Sequence, residues 1–236
     1  MPPKSRNYLP GIPAYVVLRN CGSNCFRTEE DCQFYLDVLW QGCQRFEVQL
    51  HAYCLLPDQV HLLLTQEQER QGIDDVLHYL DAHYAAHLTA SGYTKPLWEG
   101  GHQVSLIDAD AYLLSCYLHI ELAPVAARLV EHPEDYRWSS FTTHAFGVRN
   151  SRILDHYLYH ALGDTPEQRR DAYARLAGKP LPEEDVQKIH ESLVFGQPLG
   201  SARFRAQIKK AQEKRMGQNF GRHGIRDSGD PSFVRN

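Results

Sequence analysis

Residues 50–65, Leu-His-Ala-Tyr-Cys-Leu-Leu-Pro-Asp-Gln-Val-His-Leu-Leu-Leu-Thr, constrain the fold more than any other stretch. Val48, Leu50, Ala52 and Cys54 alternate with Glu47, Gln49, His51 and Tyr53. Alternation at period 2 marks a half-buried strand. Pro57 and Asp58 supply turn chemistry. The apolar run at 60–64 then reads as a central strand covered on both faces. Within this second strand Gln59 and His61 point to one face at i and i+2. Two polar side chains so placed suit two metal ligands or two phosphate contacts.

The rest of the chain supplies partners for this pair. Residues 14–19 read as a strand. Thr28 is a helix cap, with Glu29, Glu30 and Asp31 in the first turn, for a helix to about Arg45. A second helix spans about 73–91, with Val76, Leu77, Leu80, Tyr84 and Leu88 at helical spacing and Gly92 as its stop. Residues 97–107 suggest a fourth strand, weakened by Gly100 and Gly101. The order β-α-β-β-α-β predicts an α+β, ferredoxin-like fold: a four-stranded antiparallel sheet with helices on one face. A helix over 108–122, broken by Pro124, and a helical turn at 125–130 come next. Residues 135–141 are expected to leave the core. Helices are expected at 166–176, 182–194 and 202–216. The division is a domain at 1–150, a C-terminal helical extension at 151–216 and a disordered basic tail at 217–236.

Charge is split unevenly. Residues 203–236 carry nine Lys/Arg against three Asp/Glu, a net of +6, which leaves 16 against 26 in residues 1–202, a net of −10. Phosphate neutralisation supplies most non-specific affinity for nucleic acid. Strong DNA binding by the body is therefore disfavoured unless a local basic patch exists. No apolar run approaches the length of a membrane span, and the first residues do not read as a signal peptide. A cytoplasmic location is expected. Six scattered cysteines read as reduced, mostly buried thiols. Cys21, Cys25 and Cys32 match no common zinc spacing.

The stretch from His51 to Thr65 resembles the signature of REP-associated tyrosine transposases, a branch of the single-tyrosine HUH endonucleases. In that family the turn reads Met-Pro-Asn-His-Val-His-Leu-Leu. Further landmarks follow in family order. They are Leu-Pro-Gly-Ile-Pro at 9–13, Leu-Trp-Glu-Gly at 97–100, Ile-Glu-Leu at 120–122, Pro-Val at 124–125, Tyr-Arg-Trp-Ser-Ser-Phe at 136–141 and Pro-Leu-Gly-Ser-Ala-Arg-Phe at 198–204. The resemblance implies the same ferredoxin-like core. It also implies Mg²⁺ or Mn²⁺ held by two histidines and a helical tyrosine that attacks single-stranded DNA.

The substitutions fall on those positions. Gln59 stands for the first histidine, and His61 remains. The family reads Tyr-Ile-Glu-Leu-Asn-Pro-Val-Arg where this chain has His119 for the nucleophile, Ala123 for the asparagine and Ala126 for the arginine. The family's early His-Val segment appears here as Tyr15-Val16. Gln59 offers a poorer ligand than imidazole, and Ala123 offers none. His119 would give only a labile phosphoramidate. No cofactor is therefore expected. His61 reads as a partly buried histidine bonded to backbone or to Asp58, and His119 as a core-facing or cleft-lining residue. Tyr112 and Tyr117 are alternative nucleophiles whose spacing suits packing better. His83 and His87 form an i, i+4 pair with metal-binding spacing.

For nucleic acid, Arg19, Trp98 and Arg137 are candidate contacts, although Trp98 and Trp138 also read as core fillers. In the tail, Arg203, Arg205, Lys209, Lys210, Lys214 and Arg215 lie on a helix that Phe204, Ile208 and Ala211 anchor. Residues 221–224, Gly-Arg-His-Gly, resemble a minor-groove hook. The expected function is a transposase-like protein that binds single-stranded or hairpin DNA without cleaving it. The alternatives are an active single-stranded DNA endonuclease with a variant site, and a protein-interaction scaffold.

Overall fold

Apolar residues on both sides of residues 14–18 and 60–64 require a sheet covered twice, and the computed structural model, which describes residues 8–20, 24–69, 71–92 and 98–223, contains one. The strands are β1 (Ala14–Asn20), β2 (Val48–Leu55), β3 (Gln59–Gln66) and β4 (Trp98–Leu106). They lie in the order β2-β3-β1-β4, with every neighbouring pair antiparallel. Helix α1 (Glu29–Arg45) joins β1 to β2, and α2 (Ile73–Ala90) joins β3 to β4. This is the expected ferredoxin-like α+β core. Residues 1–7, Cys21, Leu97 and residues 224–236 fall outside the described residues, so the N-terminal arm, the full cysteine set and the end of the 221–224 motif do too.

Strand alternation assigns the two faces. Val16, Leu18, Val60, Leu62 and Leu64 join one core with Tyr35, Leu39, Val76 and Leu80 of the crossover helices. Tyr15, Val17 and Leu63 point the other way into a second core. Each such buried aliphatic contributes about 1.5–3 kcal/mol by leaving water. Thr28 caps α1 as expected, and the bonds are reciprocal: the Asp31 amide donates to Thr28, and the Thr28 amide donates to Asp31. The Leu56 amide donates to Gln59 O at 2.8 Å across Pro57 and Asp58, closing the turn between β2 and β3.

One departure from simple alternation lies in β2. The register jumps between Leu50, opposite Leu64, and Ala52, opposite Leu63, so His51 is an extra residue. Val48 and Leu50 face the first core, but Ala52 and Cys54 face the second. The uninterrupted period expected from 48 to 54 is therefore split by a bulge. His51 is buried, with Nδ1 2.7 Å from Leu154 O and Nε2 2.9 Å from Thr65 Oγ1. A buried polar residue with both ring nitrogens satisfied fixes the bulge.

The second face is closed by helices later in the chain. These are α3 (Ala109–Glu121), the single turn α4 (Ala123–Ala126), α5 (Phe141–Phe146), α6 (Tyr157–His160), α7 (Pro166–Ala177) and α8 (Glu183–Phe195). Tyr159, Tyr173, Ile189 and Leu193 share a core with Tyr15 and Leu63. Residues 135–141 do not leave the core. Trp138 O accepts from the Leu55 amide at 2.8 Å, Ser139 bridges to Cys54, and Ser140 and Phe141 are buried. The last helix, α9 (Ala202–His223), continues seven residues into the stretch expected to lack structure. Ile208 is buried, and Phe204 and Ala211 pack beside it against the first core. Among the described residues no helix is long and apolar enough to cross a membrane.

Candidate functional site

The site lies where β1 and β3 run side by side beneath α3. Val17 sits opposite His61 in the ladder, so Tyr15, Arg19, Gln59 and His61 share one face with one strand spacing between them. Helix α3 crosses that face and brings His119 down to it. Tyr15, fully buried, places its hydroxyl 2.7 Å from His61 Nδ1 and 2.8 Å from His119 Nδ1. One tyrosine oxygen therefore bridges the two histidines. The partner of His61 is thus Tyr15, rather than the backbone or Asp58.

The electrostatics keep this cluster uncharged. Burial pushes His61 down to about 3, helped by His119 and Arg19. Burial likewise pushes His119 down to about 4, with His190 adding to it. Burial raises Tyr15 well above its ordinary range. The phenol keeps its proton, and both imidazoles are neutral near pH 7. A phenol has one proton to give, so at most one Nδ1 accepts from it and at least one ring donates its Nδ1–H to the phenol oxygen. At least one ring therefore presents a bare Nε2. His61 Nε2 is buried and has no hydrogen-bond partner among the described residues.

Above the cluster opens a cleft of about 920 Å³. Gln59, His61, His119, Ala123 and Arg19 all line it, so the fold brings together the residues that sequence reasoning placed at the metal, nucleophile and asparagine positions. Tyr112 and Tyr117 are not there. Tyr117 is fully buried, accepts from the His156 amide at 3.4 Å and packs on His144. Tyr112 lies beneath Lys188 on another surface.

Helix α3 is held in register by a buried carboxylate. Glu121 accepts from His144 Nδ1 at 2.6 Å, from the Tyr173 hydroxyl at 2.6 Å and from the Ser140 hydroxyl. These partners come from α5, α7 and the residue preceding α5. His144 Nε2 faces Asp155 at 3.5 Å. Burial works against the charged imidazole, but Glu121 and Asp155 overcome it and raise His144 to about 9.

This network predicts a pH profile. His144 keeps its proton to about pH 9 when folded but loses it around its ordinary 6.5 when unfolded, so its contribution is complete below 6.5 and drains as pH rises toward 9. His51 is the reverse: burial holds it down to about 4, so the unfolded chain takes up its proton first and stability falls from pH 6.5 toward 4. Thermal unfolding measured from pH 4 to 9.5 should show a maximum near neutrality. Replacing His51 by Gln should make the acid arm shallower, with His61 and His119 supplying the rest, and replacing His144 by Gln should flatten the alkaline arm.

The other sequence candidates lie elsewhere. Trp98 donates its indole N–H to Asp81 at 2.8 Å and packs on the first core. Arg137 pairs with Glu29 at 2.9 Å and covers Trp138. His83 bonds Tyr79 O, and His87 pairs with Asp31 at 2.8 Å, so the two histidines point to separate partners. Among the described residues no cluster of three His, Cys, Asp or Glu could hold a metal. The five described cysteines are free and buried. On α9, Arg203, Arg205, Lys209, Lys210 and Lys214 are exposed, whereas Arg215 donates to Tyr8 O and Glu69 O. Sequence reasoning missed Tyr15 as a site residue. Its signals were a lone hydroxyl within the apolar strand Ala14–Asn20 and its place in the early His-Val segment of the resembling family.

No protein-family model and no curated protein matches the chain. Among solved structures, a REP-associated tyrosine transposase bound to a REP hairpin superposes with a TM-score of 0.52 at 18% identity, covering 66% of this chain and 93% of that one. A candidate transposase from Deinococcus radiodurans R1 gives a TM-score of 0.35 at 18% identity over 49% of this chain and 95% of that one. The chain thus has the fold of the REP-associated tyrosine transposases, as its sequence landmarks imply.

Proposed function

We propose that this chain is a transposase-like protein that binds hairpin or single-stranded DNA and does not cleave it. The observation that carries the reading is the Tyr15 hydroxyl bridging His61 and His119. It consumes one nitrogen of each histidine at the place where the fold would present a metal and a nucleophile. Gln59 and Ala123 beside it add no strong ligand. In-line attack on a phosphodiester needs a polarising cation and an accessible oxygen. The phenol of Tyr15 is fully buried and held protonated, so it is a poor candidate for that oxygen. Support for DNA binding comes from the shared fold and from the exposed cations of α9. Free buried thiols fit a reducing compartment, and the cytoplasm is the proposed location.

Two measurements test this reading. Calorimetry with Mn²⁺ should show no binding at sub-millimolar metal; a tight site lost in His61→Ala would sink the idea. Fluorescence anisotropy with hairpin and single-stranded DNA at low salt should show binding to both forms. The scaffold reading draws on the net −10 of residues 1–202 and on Glu131 and Glu134 at the cleft rim. It gains if neither DNA binds.

A further inference from the structure

Arg19 and Gln59 stand directly opposite each other in the β1–β3 ladder, so their side chains leave the sheet on one face with Cβ atoms about 5 Å apart. Both line the cleft, and neither side chain has a hydrogen-bond or ion-pair partner among the described residues. The guanidinium offers a planar fork of N–H groups, and the amide offers two more. Such a pair receives an oxyanion, bidentate on the arginine. Burial, His119 and Arg19 together hold the His61 pKa down, so the Arg19 charge is felt at the floor of the cleft. Gln59 stands where the resembling family has a metal-binding histidine, so this chain sets a neutral donor beside a cation at that place. The rest of the cleft is largely apolar. Phe141, Phe146, Leu181 and Val186 line it, and so do Ala123 and Ala126, which stand where the family carries asparagine and arginine. Phe146 is 53% exposed, an aromatic side chain left largely uncovered. The volume falls in the range of small-molecule sites. The formal charges lining the cleft cancel, Arg19 and Lys179 against Glu131 and Glu134. A phosphate chain needs a net excess of cations, whereas a single negative charge needs one.

We propose that this cleft binds a small monocarboxylate with an apolar body, its carboxylate held by Arg19 and Gln59 and its body lying along Phe146 and Leu181. The guanidinium supplies the counter-charge that a carboxylate requires when it leaves water. The apolar walls gain by covering the body. This is a binding activity separate from DNA contact through α9.

Phenylpropionate is the probe. Phenylpropionamide removes its charge, acetate removes its body, and thymidine monophosphate stands for a nucleic-acid source of the anion. Ligand-observed NMR titration on the full chain, at fixed ionic strength, measures each. Phenylpropionate should bind saturably at about millimolar concentration, as expected for so small a ligand. The amide and acetate should each bind at least about tenfold more weakly, the worth of a charge-assisted bond and of the covered ring. Arg19→Gln should weaken the acid at least about tenfold and leave the amide unchanged. Phe146→Ala should weaken both. Arg19 and Phe146 are exposed, so the melting temperature should hold in each variant. Equal binding of acid and amide would overturn the proposal, as would an Arg19→Gln variant that binds the acid as before. So would the absence of a saturable response up to the solubility limit. Tighter binding of thymidine monophosphate than of phenylpropionate would assign the cleft to nucleic acid and overturn it too. If Phe146→Ala does not fold, Arg19→Gln and the ligand series still decide.

Discussion

Replacing Glu121 by alanine should destabilise the fold by about 3–5 kcal/mol, because it leaves the buried, protonated His144 without its counter-charge. Glu121 and His144 are both fully buried, and the carboxylate also receives the Tyr173 and Ser140 hydroxyls. Removing it orphans donors from α5, from α7 and from Ser140 just before α5 at once. Glu121→Gln keeps the shape and part of the bonding, so its cost should be nearer about 1–3 kcal/mol. In both variants His144 keeps only Asp155 to hold its proton, and the alkaline loss of stability should shrink. Urea unfolding at pH 7 and pH 9 measures both effects. A cost below that of an ordinary surface substitution would mean that the network does not hold α3, and with it His119, in place.

The second large effect concerns DNA. Substituting Arg203, Arg205, Lys209, Lys210 and Lys214 together by glutamine should weaken hairpin binding severely and flatten its salt dependence. All five are exposed, and Lys209 is 4.0 Å from Glu213, a loose pairing. Each single-strand phosphate contact adds about −0.7 to the slope of log K against log salt, so five contacts amount to about −3.5. At 0.1 M salt the loss is on the order of 10³-fold. Glutamine is a good helix former, so α9 should persist. Keeping the helix matters because Ile208 is buried in the first core, and truncation before it would remove packing along with charge. Unchanged affinity and slope would move the DNA contact to the sheet face around Arg19 and His61.

The sheet was legible because period-2 alternation and turn residues are local signals. Pro57, Asp58, Thr28 and Gly92 each act within a few residues of themselves. The bulge at His51 was not legible, because an extra residue leaves alternation intact on either side and shifts only its phase. Tyr15 escaped for a related reason. Its strand is apolar on both faces, so an inward tyrosine reads as packing, and its partners lie 46 and 104 residues away. Glu121 is similar: its carboxylate partners are 19, 23 and 52 residues distant. The positions of Gln59, His61, His119 and Ala123 were readable through the family landmarks. What those residues do together depends on the Tyr15 hydroxyl, which stands where the resembling family has a histidine.

The central claim is that the Tyr15-bridged histidines replace cleavage chemistry in a protein that still holds DNA. The most direct measurement uses an end-labelled DNA hairpin with a single-stranded 3′ extension, incubated with the full chain and Mg²⁺ or Mn²⁺. A native gel reports binding, and a denaturing gel reports cleavage and protein–DNA adducts from the same samples. A shifted native band with intact DNA and no adduct is the predicted result. A site-specific nick or a covalent adduct that disappears in Tyr15→Phe, Tyr112→Phe or Tyr117→Phe would contradict it.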